Sequence, residues 1–139
     1  MFTLHPQLAG DTAAICDWPL CRVLLMNDAR FPWIILVPRR PDASELFDLT
    51  EGDRVLLTGE ITRASRILKS WAGGRGGCDK INIGMIGNIV PQLHVHIVAR
   101  ARADSAWPHP VWGRGAPLRY SLCELNRITA ELPALFQPQ

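Results

Sequence analysis

No apolar run in this 139-residue chain approaches the ~20 residues that a membrane-spanning helix needs, and the longest, over residues 31–38, stops at a proline. The first residues, Met1-Phe2-Thr3-Leu4-His5-Pro6, offer neither a basic stretch nor a long apolar core before Asp11. They do not read as a secretory signal. Net charge is scarce as well: 15 Lys and Arg against 13 Asp and Glu leave +2, too little to make a nucleic-acid backbone or an anionic membrane the main partner. Cys16, Cys21, Cys78 and Cys123 form no CxxC pair, and are expected to be reduced structural thiols in the cytoplasm. The glycine run Gly73-Gly74-Arg75-Gly76-Gly77 lacks the Gly-x4-Gly-Lys-Ser/Thr order of a phosphate loop, and Lys80 falls on the wrong side of it. It reads as a helix stop.

What the chain does have suits one domain over residues 1–139: 47% of its residues are hydrophobic and its mean hydropathy is near zero. Residues 5–18 suggest at most a helical turn and an extended lead-in, with no site, and His5 reads as an ordinary surface or packing residue. Cys21-Arg22-Val23-Leu24-Leu25-Met26 and Trp33-Ile34-Ile35-Leu36-Val37 are strand-like runs around the turn residues Asn27-Asp28-Ala29-Arg30, which predicts a hairpin closed by Pro38. Arg39 and Arg40 read as a solvated strand end in preference to a phosphate site. A short helix is expected over residues 42–47.

Thr50 with Asp53 resembles a helix-starting box, and Leu57, Ile61, Ala64, Leu68 and Trp71 then recur at helical spacing as a packing face. Residues 80–85 and 92–100 are expected as two further strands paired through the Gly87-Asn88 turn. An arm over about 104–118, carrying Trp107 and Trp112 among prolines and glycines, is too irregular for a helix or strand. It has to lie against its own domain or a partner's. Ser121 and Glu124 form a second capping box, Leu122, Leu125, Ile128 and Leu132 continue the stripe, Pro133 cuts it short, and a frayed tail follows.

The stretch most informative about chemistry is Gln92-Leu93-His94-Val95-His96-Ile97-Val98. Its period of two sends Gln92, His94 and His96 to one face and Leu93, Val95, Ile97 and Ala99 into a core, with the histidines about 6 to 7 Å apart by the rise of a strand. The preceding Gly84, Gly87 and Asn88 provide backbone amides able to approach an anion. Three chemistries fit. The two rings can be hydrogen-bonded structure at a sheet edge. They can be half of a metal site, for which no third ligand stands at a recognisable spacing. Or a neutral imidazole, with Nδ1–H held by a backbone carbonyl and Nε2 free, can attack phosphorus while its neighbour donates to a non-bridging oxygen.

These residues resemble the histidine triad (HIT) family of nucleotide hydrolases and transferases, and the likeness runs from about Cys21 to the last helix. Asn82-Ile83-Gly84, Gly87-Asn88 and the Gln92–Val98 run follow its strand, turn and histidine arrangement, and Asn27-Asp28 with the strand ending in Pro38-Arg39 follows its ribose loop. The resemblance implies an α+β, HIT-like fold: a five-stranded, mostly antiparallel sheet with one long packing helix and a C-terminal helix. It implies His94 as nucleophile and His96 as phosphate support, nucleotide contacts at Asn88, Asn82, Gly87, Asn27 and Asp28, no metal or other cofactor in the chemical step, and a homodimer. Two positions depart. Gln92 stands in place of the first histidine, where it is expected among the catalytic residues with His94 and His96, able to donate and accept a hydrogen bond but not to serve as a proton donor near neutral pH, and Trp33 stands where many members have a fourth histidine. The Pro-Gln-Leu-His-x-His run and the Trp-Pro-x-Pro-Val-Trp-Gly arm resemble a bacterial branch of the family, the diadenosine tetraphosphate hydrolase-like proteins. The expected activity is cleavage of a nucleoside 5′-phosphoryl bond through a nucleotidyl-histidine, and the alternative is a nucleotide sensor with little turnover.

Overall fold

In the computed structural model, which describes residues 1–137, five strands form one antiparallel sheet in the order β1-β2-β3-β5-β4. The strands are β1 (Thr12–Asp17), β2 (Cys21–Met26), β3 (Trp33–Pro38), β4 (Lys80–Gly84) and β5 (Val95–Arg100), and the helices are α1 (Pro6–Asp11), α2 (Glu51–Gly73) and α3 (Leu122–Leu135). This is the α+β architecture that the resemblance implies, with α1 in addition. The β2–β3 hairpin forms as its two β-rich runs and its Asn-Asp turn dictate. The N-terminal segment is more ordered than its composition suggests: α1 starts at His5, whose Nδ1 accepts from Gln7 N–H, and β1 pairs with β2 across a bulge between Ala14 and Cys16.

Thr50 caps α2 by accepting from Asp53 N–H. The Asp53 side chain does not complete the box; it turns to Arg40, whose guanidinium it binds at 2.7 and 2.8 Å. Arg39 is also engaged, donating to Trp18 O at 2.6 Å, so neither arginine is a loose strand end. The helix expected over 42–47 is a single 3-10 turn, Leu46–Asp48. Of the expected α2 stripe, Leu57, Ala64, Leu68 and Trp71 are buried and Ile61 is half-buried. They form one core with Val23, Leu25, Ile34, Leu36, Val95, Ile97 and Ala99 of the sheet and with Leu93 just before β5.

Pro133 does not end α3. The helix runs on to Leu135 past it, with the N–H of Phe136 still bonded to Leu132 O. Leu122 is exposed, and Ile128, Leu132 and Phe136 carry the packing. Phe136 is fully buried and its carbonyl accepts from Trp18 Nε1 at 2.7 Å, so the expected frayed tail is anchored at least this far; residues 138–139 lie outside the described region.

The other face of the sheet carries a second apolar cluster. Leu24, Phe31, Trp33, Ile35, Val37 and Val98 pack there with Leu8 of α1 and with Ala106 and Val111 of the arm. All six residues of β5 are buried, and the alternation of its sequence sends Val95, Ile97 and Ala99 into the first core and Val98 into the second, with His96 on the face that also carries a cavity. The arm lies on its own chain. No helix among the described residues is long and apolar enough to cross a membrane.

Candidate functional site

β5 begins at Val95, three residues later than its sequence pattern suggests. Its ladder to β3 stops at Leu36↔Val95 and that to β4 at Gly84↔His96, while the N–H of Leu93 goes to Ala43 O. Gln92 therefore does not share the face of the two histidines, contrary to expectation. Its Oε1 accepts from His5 N–H and its Nε2 donates to Thr3 O, both at 2.8 Å, so the side chain ties down the N-terminal segment.

The backbone of Gln92 has another use. His94, only 6% exposed, has its Nδ1 2.6 Å from Gln92 O. A carbonyl can only accept, so the proton of that ring sits on Nδ1 and Nε2 keeps a free lone pair. His96 is in the opposite state. Its Nδ1 lies 3.1 Å from the indole nitrogen of Trp33, which can only donate, so in the neutral ring the proton sits on Nε2. Burial, helped by the nearby His94, pushes the His96 ring down to about 3 from the ordinary 6.5, and it stays uncharged at neutral pH. The two ring centroids are 4.8 Å apart, nearer than strand spacing alone implies, because His94 lies before the strand with its ring drawn back toward Gln92 O.

Room for the neighbouring aromatic comes from a missing side chain. Gly84 is the cross-strand partner of His96, and a Cβ there would stand 2.9 Å from Cη2 of Trp112 and 3.2 Å from its Cζ2. Trp112 occupies that gap, edge-on to His96 at 5.5 Å and to Trp33 at 6.3 Å between centroids. The glycine of the Asn-x-Gly strand is thus required by the arm. Gly87 holds the following turn at φ +64°.

His94 and His96 open into a cavity of about 390 Å³, within the range of small-molecule sites. Among the residues singled out in the sequence, Gly87, Asn88 and Asp28 line it with the two histidines. Asn27 and Asn82 do not. Asn27 Oδ1 accepts from Tyr120 N–H at 2.9 Å, fastening the arm's end, and Asn82 Oδ1 accepts from Arg100, which is buried and paired with Asp104. Asp28 is itself fully committed inside the protein. Burial opposes its charge, but Arg30 grips it through Nε and Nη2 and the N–H groups of Arg30 and Leu118 add to this, holding the carboxyl below its usual range.

Sequence reasoning missed Gln7, Leu8 and Asp11 of α1, Arg30, and the placement of Trp112 over its own pocket. Trp107 instead lies against the Arg100 guanidinium. Among the described residues no group of three or more His, Cys, Asp or Glu is placed to hold a metal ion.

Residues 8–103 match the HIT domain. No curated protein matches the sequence. Among solved structures, the chain is similar to a histidine triad protein from Bradyrhizobium japonicum, 47% identical over 98% of both chains with a TM-score of 0.90. It is similar also to a histidine triad (HIT) protein from Sinorhizobium meliloti 1021, 45% identical over 93% of both chains with a TM-score of 0.87. A histidine triad protein from Marinobacter aquaeolei VT8 is 41% identical over 97% of this chain and 96% of its own, with a TM-score of 0.85. With residues 8–103 matching the domain and 41–47% identity to these proteins over at least 93% of its length, the chain belongs to the HIT domain family.

Proposed function

We propose that this protein cleaves a nucleoside 5′-phosphoryl bond by way of a nucleotidyl-His94 intermediate, with a diadenosine polyphosphate or a related nucleotide as substrate. Membership of the family points to nucleotide binding and to hydrolase or transferase chemistry. The observation that carries the finer reading is the opposite hydrogen-bond partners of Nδ1, a carbonyl for His94 and an indole N–H for His96, on two buried histidines at the wall of a nucleotide-sized cavity.

In this reading Nε2 of His94 attacks the α-phosphorus, a P–N bond forms and the bond to the leaving group breaks with its electron pair. Water then attacks the same phosphorus, releasing the nucleoside 5′-monophosphate and restoring His94. His96 Nε2–H donates to a non-bridging oxygen, and the backbone amides beside Gly87 and Asn88 meet the negative charge that spreads over the equatorial oxygens. The base and sugar occupy the cavity among Leu8, Met26, Ile35 and Val111.

Gln92 contributes its carbonyl to this scheme and not its amide. No side chain at its position hands a proton to the departing group, which favours leaving groups stable as anions, such as the phosphate end of a nucleotide, over amines. The same observation favours the second reading, a pocket that binds nucleotide without turning it over. Two copies of the chain assemble as a homodimer in this proposal, for which exposed Val55 and Leu56 on α2 and Ile83 on the edge strand β4 are apolar surface available to a partner.

Release of mononucleotide from diadenosine tetraphosphate, diadenosine triphosphate and an adenosine phosphoramidate, measured for the native protein and for His94→Ala, tests the function. Release by the native protein alone, faster from the polyphosphates, is the expected outcome. Binding of AMP by both proteins with product from neither establishes the sensor instead.

A further inference from the structure

We propose that Trp33 is a positioning residue of the histidine pair: its indole N–H fixes the His96 ring with the proton on Nε2, so that His96 meets a bound phosphoryl group as a donor and His94 alone keeps a free lone pair in the cavity. The proposal rests on the reading of His94 as nucleophile, and concerns what makes two chemically identical rings take different parts.

Imidazoles 4.8 Å apart in one cavity have no intrinsic reason to differ. Each can carry its proton on either nitrogen, and either can act as base. The distinction comes from the partner of each Nδ1: an obligate acceptor, Gln92 O at 2.6 Å, for His94, and an obligate donor, Trp33 Nε1 at 3.1 Å, for His96. Tryptophan suits the second task through its hydrogen-bonding inventory. A hydroxyl or another imidazole can donate or accept and would leave the tautomer open, while Arg or Lys would bring a charge into the pocket.

The indole is also held. Trp33 is 5% exposed, with Phe31 edge-on at 6.5 Å and Trp112 edge-on at 6.3 Å. Its strand neighbour Ile35 is the register partner of His96, which sets the ring and the indole diagonally across the β3–β5 ladder. Protonating His96 would set an N–H against an N–H, so the same contact resists charge on that ring. The titratable and charged groups sharing its cavity are His94, Asp28 and Arg30 from the β2–β3 loop, and Asp11 from α1. Asp28 is already neutralised by Arg30 and offers His96 no compensating carboxylate.

Two-bond 15N–1H correlation spectra of the ligand-free protein report which nitrogen of each ring is protonated. The four histidines are assigned with His5→Gln, His109→Gln and His96→Gln variants. Expected are an Nδ1–H ring for His94 and an Nε2–H ring for His96. In Trp33→Phe, which keeps an aromatic ring but removes the donor, His96 is expected to populate both tautomers and to titrate at a higher pH. With the best substrate kcat is expected to fall about fivefold to tenfold, the worth of roughly one neutral hydrogen bond, with KM changed less. An Nδ1–H ring at His96 in the native protein overturns the proposal, and needs no variant to fold. So does an unchanged His96 tautomer in a folded Trp33→Phe. The spectra require no turnover, so native tautomers as expected in a protein that releases no product leave the role of Trp33 standing and refute the hydrolase reading alone.

Discussion

His96 carries a pH dependence whose sign follows from its environment. Its ring titrates at about 3 in the folded protein against 6.5 when unfolded, so between these values the unfolded chain binds a proton that the folded one refuses. Stability is complete above pH 6.5 and falls as acid is added, by at most about 1.4 kcal/mol per pH unit from this group. His96→Asn is expected to flatten that part of a plot of urea midpoint against pH. Native and variant curves that stay parallel from about pH 7 to about 4 would show that the ring is not held neutral. Gln92 makes the second prediction at this scale. Restoring a histidine with Gln92→His is expected to leave leaving-group dependence unaltered, since that side chain points to Thr3 and His5, and to cost about 1 kcal/mol through the hydrogen bonds lost there. A selective gain on phosphoramidates would instead mean that the new ring reaches the reacting atoms.

Among the elements, the arm and β4 are fitted to each other through an absent Cβ. Gly84→Ala is expected to displace Trp112 and raise the KM for nucleotide about fivefold, the equivalent of roughly 1 kcal/mol of overpacking, while kcat is retained. An unchanged KM would mean that Trp112 is no part of the nucleotide pocket. Elements with strong local signals were legible in the sequence: the hairpin from its strand-like runs and turn residues, α2 from Thr50 and its stripe, and most of β5 from its alternation. β1 was not, because Thr-Ala-Ala-Ile-Cys-Asp has weak strand preference and is held by pairing with β2 across a bulge. Nor was the point at which β5 begins, since alternation says which way side chains point but not where the neighbouring strands run out.

In the molecule as assembled, the cavity is built from α1, the β2–β3 loop, β5 and the arm, which are remote in sequence. The histidines and the Gly87-Asn88 turn were legible because their chemistry and spacing are local. Gln7, Asp11, Arg30 and the reach of Trp112 were not, because only tertiary packing brings them to the same wall. Asn27 and Asn82 illustrate the converse, polar residues beside a site whose side chains hold the arm's end and the buried Arg100. The proposed dimer also belongs to the molecule and not to any one element. Sedimentation at the mass of two chains is expected, with Ile83→Lys shifting it toward one; a native monomer at micromolar concentration would contradict it.

A bond between His94 and phosphorus is the step on which the proposed chemistry depends, and intact-mass measurement after millisecond mixing with diadenosine tetraphosphate and an alkaline quench reads it directly. A transient gain of one nucleotidyl group is expected, mapping to the peptide that contains His94, labile to acid and absent from His94→Ala. Steady product formation with no adduct at any mixing time, or the same adduct on the His94→Ala protein, would refute that step.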